Sequence, residues 1–400
     1  MIRLPNPFFR FIAARGAATV AFQMTGVAVG WHVYELTGRV FDLGLVGLVQ
    51  FLPSVLLVLY AGHAADRYNR RIIVAAAQTI MTIVLLLLAL GSGGGWIDRD
   101  IILALMFLVG TARAFEFTTM QTILPALVDR QTLPQALALA GSVRQAAVIL
   151  GPLLGGLLYL AGAPVVYLVS ALLLLISAGL ILSLPIHRTP PLREPFSFAA
   201  LFAGISFIRQ RPVVFGAISL DLFAVLLGGA TALLPVYARD ILHTGSWGLG
   251  LLRASPAAGA LLASLLMARF PLTHSVGKVL YLSVATFGVA TILFALSRWL
   301  TLSCALLVLL GGADMISVVI RSTLVQLETP DEMRGRVSAV NAIFIGTSNE
   351  LGEFESGLTA AWLGIVPATL VGGFGTLLVV VLWRRLFPQL LHHDRMKSSA

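Results

Sequence analysis

The sequence predicts an all-α polytopic membrane protein in which twelve transmembrane helices form two pseudo-symmetric six-helix bundles. Of its 400 residues, 58% are apolar and only 11% are charged, whereas soluble domains carry about 25% charged residues. Apolar stretches of about 20 residues, the length that crosses a bilayer as a helix, recur along nearly the whole chain. This composition excludes a soluble globular protein.

The apolar stretches define twelve predicted spans. They cover approximately residues 9–36, 43–61, 72–91, 101–127, 135–160, 163–184, 212–238, 247–268, 278–296, 299–325, 336–360 and 362–383. A proline-rich polar segment follows the sixth span, and residues 196–211 then read as an amphipathic helix of the kind that lies in a membrane interface. We therefore expect an N-terminal bundle over 1–186, a cytoplasmic linker with this helix over 187–211, and a C-terminal bundle over 212–400.

A weak internal repeat supports this division. Shifts of 201 to 203 residues superpose several residues of the first half on identical residues of the second, namely Pro53 on Pro256, Gly110 on Gly311, Gly151 on Gly352 and Gly156 on Gly357. Parallel six-helix repeats are typical of secondary transporters whose halves move about a site at mid-membrane. The repeat favours a transporter over a channel or a membrane enzyme.

The basic residues predict the orientation of the chain. With the loop after the second span in the cytoplasm, cytoplasmic segments hold eighteen of the 27 Lys and Arg residues and outer loops hold four. This distribution follows the positive-inside rule. Both termini are therefore expected in the cytoplasm, and the membrane is expected to be a bacterial inner membrane.

The segment from Gly62 to Arg71 is expected to be a short charged loop between the second and third spans. Asp66 stands just before the third span, where a carboxylate accepts hydrogen bonds from free N–H groups. The segment resembles the Gly-x-x-x-Asp-Arg-x-Gly-Arg-Arg/Lys loop of the major facilitator superfamily. Asn69 replaces the family glycine, and asparagine tolerates a left-handed backbone.

The superfamily resemblance implies that this loop latches the two halves together on the cytoplasmic side. It assigns Gly62, Asp66, Arg67, Arg70 and Arg71 to that gate. The simpler alternative is a helix N-cap at Asp66 combined with an arginine topology signal.

The fifth span contains Gly151, Pro152, Gly155 and Gly156. Small residues four apart let helices approach closely, and proline removes a backbone hydrogen bond and bends the helix. Ordinary helix packing would explain this pattern. The pattern also resembles the Gly-Pro-x-x-Gly-Gly motif of drug:proton antiporters, with Ala147 where the first family glycine stands, and this resemblance implies export.

Arg113 and Glu116 lie three residues apart in the fourth span and so share a helix face. Arg113 is about 18 Å along the span from Ile101, near the middle of the bilayer, where a charge is costly and faces a partner or a cavity. They resemble part of the superfamily pattern Leu-x-x-x-Arg-x-x-Gln-Gly, a region linked to proton coupling, although Glu116 and Phe117 depart from it. The alternative is an ion pair that only helps assembly.

Other charged and polar groups at membrane depth complete the candidate site. Proton coupling is assigned to Arg113, Glu116, Asp221, Asp314 and Glu350, and the wall of a substrate cavity to Phe22, Gln23, Arg144, Asn341, Asn349 and Glu353. Acids in the eleventh span could also be solvated in a water-filled vestibule. Arg15 and Arg253, nearer span ends, are expected to extend toward the headgroups.

Sequence runs in the first, seventh and eleventh spans resemble the bacterial branch of the superfamily that contains the enterobactin exporter. They include Gly30–Gly38, Ser219–Tyr237 and Pro330–Gly357. The resemblance implies export of a small organic molecule, such as a siderophore or an amphiphilic drug, by alternating access and proton antiport. A lysophospholipid-type flippase and an uptake symporter remain open, as do a polytopic enzyme and a sensor.

Signals for other chemistry are missing from the sequence. There is no phosphate-binding loop, no metal-spaced Cys/His group, and the single Cys304 allows no intramolecular disulfide. We therefore expect no enzyme activity, no cofactor and no metal. The expected partners are a small-molecule substrate, protons and the lipid bilayer, without nucleic acid, and the protein is expected to be a monomer.

Overall fold

In the computed structural model the chain is built almost entirely of helices, and the structure describes residues 4–129, 131–185, 198–272 and 274–392. The helices of the first half are α1 (Asn6–Thr37), α2 (Val40–Arg67), α3 (Arg70–Gly94), α4 (Arg99–Leu127), α5 (Leu133–Leu158) and α6 (Ala163–Leu182). Those that follow are α7 (Phe198–Gln210), α8 (Pro212–Gly228), α9 (Leu234–Val236), α10 (Ser246–Arg269), α11 (Val276–Leu296), α12 (Leu300–Leu327), α13 (Asp331–Leu363), α14 (Ile365–Leu386) and α15 (Pro388–Leu391).

The long helices provide the predicted spans. Within the described residues, eleven helical segments are long and apolar enough to cross a membrane. The twelfth is α13, whose 33 residues extend for about 50 Å at 1.5 Å per residue. Four glutamates, Glu332, Glu350, Glu353 and Glu355, lower the hydropathy of α13, which is why length rather than hydropathy identifies it as a span. The all-α, twelve-helix prediction is confirmed.

The chain divides into two compact units that do not follow the sequence strictly. The first unit contains Met1–Gly38, Leu48–Phe196 and Thr244–Ala254, and the second contains Arg39–Gly47, Ser197–His243 and Ser255–Ala400. The first turns of α2 therefore belong to the second unit, and the first turns of α10 belong to the first. Residues 187–197 of the expected linker lie outside the described residues.

The two units repeat the same set of helix contacts. In the first unit α1 packs on α4, α5 and α6, and α3 packs on α4 and α6. In the second unit α8 packs on α12, α13 and α14, and α11 packs on α12 and α14. Each contact in the first unit has its counterpart in the second, so the pseudo-symmetry predicted from the repeat is present in the packing.

Glycines that match under the repeat also occupy matching helix crossings. A Cβ atom on Gly110 of α4 would collide with the backbone of Gln50 in α2, within the first unit. A Cβ atom on Gly311 of α12 would collide with the backbone of Pro256 in α10, within the second unit. Both crossings bring backbones together more closely than any side chain permits.

The segments exchanged between the units are held by a second set of glycines. In the first unit, Gly156 of α5 faces Gly250 of α10, and the Ser246 hydroxyl donates to the Gly156 carbonyl at 2.9 Å. In the second unit, Gly357 of α13 faces Gly44 of α2. The repeat superposes Gly156 on Gly357, and the structure gives the two glycines the same role.

The seventh span is not one continuous helix as predicted. It begins with α8, which ends at Gly228, and continues as a 3₁₀ turn over Ala230–Leu233, then α9, then a π-helical turn over Tyr237–Ile241. Gly229 leaves the helical region with ψ 56°, and Pro235 follows, a residue that cannot donate a backbone hydrogen bond. Glycine and proline in an apolar run thus interrupt a helix that hydropathy alone treats as unbroken.

The amphipathic helix α7 packs on the second unit. Ile208 is buried with Val337 and Val340 of α13, and the Gly204 position lies against the Val340 side chain and the Arg336 carbonyl. Phe202, by contrast, is 66% exposed. One side of α7 therefore packs on the protein, and Phe202 on the other side is exposed, as expected for a helix in the membrane interface.

Candidate functional site

The segment Gly62–Arg71 is not the ten-residue loop that the sequence suggested. Helix α2 continues through Arg67 and α3 begins at Arg70, so only Tyr68 and Asn69 connect the two helices. Asp66 lies inside α2 and cannot be the N-cap of α3, and its side chain is outside the described part of the structure. The polar residues at the start of this segment are helical, although hydropathy predicted that the helix would end before them.

Asn69 caps α3 in place of Asp66. Its side-chain oxygen accepts a hydrogen bond from the backbone N–H of Arg71 at 3.1 Å. Its φ is −69°, so the expected left-handed backbone is absent at this residue. Asn69 occupies the position of the family glycine and caps the helix with its side-chain oxygen. Glycine can also occupy a helix cap, but it has no side-chain oxygen to accept this hydrogen bond.

Two arginines of this segment bind carbonyl groups of other helices in the first unit. Arg70 donates to the Thr122 carbonyl of α4 at 3.2 Å. Arg71 donates to the Leu184 carbonyl, just beyond α6, at 2.5 Å. Leu184 lies at the C-terminal end of α6, where carbonyls lack a partner within the helix and a cation is favourable. Arg67 is exposed, and among the described residues no neighbouring atom lies within 4 Å of a Cβ built on Gly62.

We expect Asn69→Ala to lower the free energy of unfolding by about 1 kcal/mol, because the Arg71 N–H loses its cap. Asn69→Asp keeps an acceptor at the same position and should retain most of the stability. Thermal unfolding of the purified protein in detergent micelles would compare the two variants. Equal losses in both would mean that the cap contributes nothing.

The glycines of the α5 motif are contact points for two other helices of the first unit. A Cβ atom on Gly151 would lie 2.6 Å from the Gln23 Cβ atom of α1. On Gly155 it would lie 2.9 Å from the Met24 Cα atom of α1. Gly156 faces α10 as described above, and Pro152 lies inside the helix and is buried. The motif therefore fixes α5 against α1 and α10 at once, and Gln23 is held by this packing.

Glu116 and Arg113 lie in the interior of the first unit. The guanidinium carbon of Arg113 is 3.2 Å from the centre of the Phe22 ring of α1, a cation–π contact. The Gln78 amide of α3 donates to Glu116 Oε1 at 3.5 Å. Arg113 and Arg15 are the cations within electrostatic reach of Glu116. Phe22 thus contacts Arg113, whereas Gln78 and Arg15 interact with Glu116.

A small cavity of about 20 Å³ adjoins Arg113 and Glu116. It has room for about one water molecule. Its remaining walls are largely apolar and come from α1, α3, α4 and α6, namely Ala18, Phe22, Thr25, Met81, Leu85, Val109 and Leu174. Four helices of one unit therefore line the cavity beside the carboxyl group and the guanidinium.

The second unit contains its own buried ionic cluster. Arg321 of α12 forms an ion pair with Asp221 of α8, and both side chains are less than 10% exposed. The Ser317 hydroxyl lies 3.5 Å from Asp221 Oδ1. Asp314, one turn before Ser317, is partly buried and within electrostatic reach of Asp221 and Arg321. Two carboxyl groups thus share one arginine.

The polar residues of α13 are more dispersed. Glu350 and Glu353 are partly buried, and their Oε2 atoms would lie 3.8 Å and 3.4 Å from a Cβ atom on Gly47, within the second unit. Asn341 is partly buried, whereas Asn349 is exposed. Arg144, on α5 of the first unit, is exposed and interacts electrostatically with Arg15.

Sequence reasoning missed some members of these clusters. Gln78 is a lone amide inside a predicted span, which charge counting does not detect, and Ser317 reads as an ordinary small residue. The sequence also did not reveal that the Arg253 Nη1 atom lies 3.0 Å from a Cβ atom built on Gly26 of α1. A search for all polar residues within the apolar spans, uncharged ones included, would have identified Gln78.

A family model described as "Transmembrane secretion effector" matches residues 3–399. The chain belongs to this MFS_3 family. Curated relatives are named enterobactin exporter EntS. The one from Escherichia coli (strain K12) is 27% identical over 394 residues, which cover 97% of this chain and 93% of the relative. The one from Salmonella choleraesuis (strain SC-B67) is 27% identical over 384 residues, with coverage of 94% and 91%.

Solved structures share the fold of this MFS_3 chain. A bacterial homologue of the human lysosomal transporter Spinster has a TM-score of 0.77 at 13% identity and covers 98% of both chains. The nucleoside transporter NupG has a TM-score of 0.71 at 16% identity, with coverage of 96% of this chain and 99% of its own. The resemblance to the major facilitator superfamily is therefore confirmed, and the chain is a multi-pass membrane transporter of that type.

Proposed function

We propose that this transporter exports a small organic molecule, such as a siderophore or an amphiphilic drug, across the bacterial inner membrane. Transport would proceed by alternating access with proton antiport. The observation that supports this most directly is the pair of buried ionic clusters, one in each unit, at membrane depth. Carboxyl groups held beside arginines away from water are suited to take up and release protons as their surroundings change. The relatives named enterobactin exporter support the direction of transport and the siderophore class.

The proposal assigns roles to the residues of these clusters. Coupling is assigned to Glu116 with Arg113, to Asp221 and Asp314, and to Glu350. The substrate would meet Phe22, Gln23, Arg144, Asn341, Asn349 and Glu353. We also propose that the α2–α3 segment with Gly62, Asp66, Arg67, Arg70 and Arg71 acts as a cytoplasmic gate, and that the α5 glycines serve antiport by close packing.

The same proposal covers the arrangement of the chain. In this arrangement the chain consists of six-helix bundles over 1–186 and 212–400, joined by the 187–211 linker, with both termini in the cytoplasm. The eighteen-to-four distribution of basic residues supports this orientation. We propose a monomer that works without a cofactor or nucleic acid and has no enzyme activity.

Proteoliposomes test the coupling. The purified protein is reconstituted with an internal pH dye, and candidate siderophores and cationic dyes are added in turn. We expect substrate-dependent proton flux in the wild type, and a loss of at least tenfold in Glu116→Gln or Asp221→Asn. Glu355→Gln is the matched control, because Glu355 lies on a span but accepts a hydrogen bond from its neighbour Thr359 at 2.7 Å.

The outcomes separate the proposal from its alternatives. Substrate binding without proton flux would contradict antiport and favour a lipid substrate or another ion. Flux in which substrate and protons move together would indicate an uptake symporter. Wild-type flux in both acid variants would remove Glu116 and Asp221 from the mechanism.

A further inference from the structure

Gln78 occupies an unusual position for a polar side chain. It lies on α3 within the first unit, and its exposed fraction is 0%. An amide transferred from water into an apolar environment is destabilising unless its hydrogen bonds are restored. A buried glutamine in a membrane helix therefore requires a specific partner, and that partner identifies its role.

The partner of Gln78 is the carboxyl group of Glu116. The Gln78 Nε2 atom lies 3.5 Å from Glu116 Oε1. Among the described residues, no group donates a hydrogen bond to the Gln78 Oε1 atom, which is fully buried. Thr82, one turn further along α3, donates to the Gln78 backbone carbonyl at 2.8 Å and is satisfied within its own helix.

The two ends of an amide match the two states of a carboxyl group. The NH₂ group donates to a carboxylate, and the carbonyl oxygen accepts from a protonated carboxyl group after the amide turns over. A hydroxyl group or a lysine at this position would not offer both ends with the same reach. The unpartnered Oε1 atom of Gln78 is thus available for the protonated state of Glu116.

We propose that Gln78 is a positioning residue that sets the proton affinity of Glu116, and that Glu116 exchanges its proton at the cavity lined by α1, α3, α4 and α6. The inference rests on the proposed proton coupling. The groups that face Glu116 are Arg113 on its own helix α4, Arg15 on α1 and Gln78 on α3, while α6 contributes Leu174 to the adjoining cavity.

Infrared difference spectroscopy of the purified protein between pH 4 and pH 10 tests this directly. The carboxyl band of Glu116 is assigned by its loss in Glu116→Gln, and its intensity is followed against pH. We expect Gln78→Met to move the midpoint of this titration to higher pH by about half a unit to one unit, because the carboxylate loses a donor. Gln78→Asn, one methylene shorter, should produce a shift in the same direction.

Thr82→Val is the matched control and should leave the midpoint unchanged. An unchanged midpoint in both Gln78→Met and Gln78→Asn would overturn the inference, as would a wild-type Glu116 band that does not titrate over this range. Because the readout needs no transport, the proposed antiport can fail separately. Absence of proton flux with a titration that Gln78 shifts would reject antiport and retain the role of Gln78.

Discussion

Arg321→Gln is expected to destabilise the second unit by about 3–5 kcal/mol, because it leaves the Asp221 carboxylate buried without its counter-charge. Asp221→Asn should have a comparable effect, since it leaves the Arg321 guanidinium in the same position. The double variant, which removes both charges, should recover most of the lost stability. The measurement is unfolding of the purified variants in mixed micelles as the fraction of denaturing detergent rises.

The exposed ion pair between Arg99 and Asp100 provides the control. The nitrogen–oxygen distance is 3.0 Å, yet 81% of the Asp100 side chain is accessible. Exposed pairs contribute about 1 kcal/mol or less, so Arg99→Gln should have little effect in the same assay. A double variant no more stable than the single variants would show that the buried pair is not the cause of the loss.

Gly110→Ala and Gly311→Ala are each expected to cost about 1–3 kcal/mol. An added methyl group would collide with the backbone of Gln50 in the first case and of Pro256 in the second, and a helix backbone cannot yield as a flexible side chain does. Transport should fall with stability in both variants. Heat inactivation of reconstituted protein and unfolding in micelles would both register the change.

Gly179→Ala is the matched control for these two substitutions. Within the part of the chain that the structure describes, no neighbouring atom lies within 4 Å of a Cβ atom built on Gly179, which is in α6. Because alanine favours helix over glycine by about 0.5–1 kcal/mol, this variant should be as stable as the wild type or slightly more stable. A loss in Gly179→Ala equal to that in Gly110→Ala would argue against close packing as the reason.

The fold could be predicted because each span repeats one physical signal. About 20 apolar residues define a membrane helix, and matching glycines such as Gly110 and Gly311 mark crossings that recur in both units. Helix ends were predicted less well. Gly62–Arg67 continues α2 although it is polar, because leaving the apolar region does not require a helix to stop.

Charge was the main signal in the sequence for the candidate site. Arg113, Glu116 and Asp221 stood out because charged residues are rare in apolar spans. The sequence did not reveal that Phe22 lies under Arg113 or that Arg321 pairs with Asp221, since neither contact follows from spacing along a single helix. The contact of Arg253 with the Gly26 position of α1 was also not foreseen, because helix position alone does not indicate which neighbour a long side chain meets.

The exchanged segments have a consequence for the order in which the protein is made. Residues 244–254 belong to the first unit, where Ser246 and Gly250 contact Gly156. When the sixth helix has left the ribosome, that unit therefore still lacks a segment that will be synthesised about 60 residues later. Residues 39–47 complete their contacts even later, because Gly44 meets Gly357 only when α13 has been synthesised. Domains generally fold as units during synthesis, N-terminal first, but here the first unit cannot complete its packing until part of the second half has been synthesised.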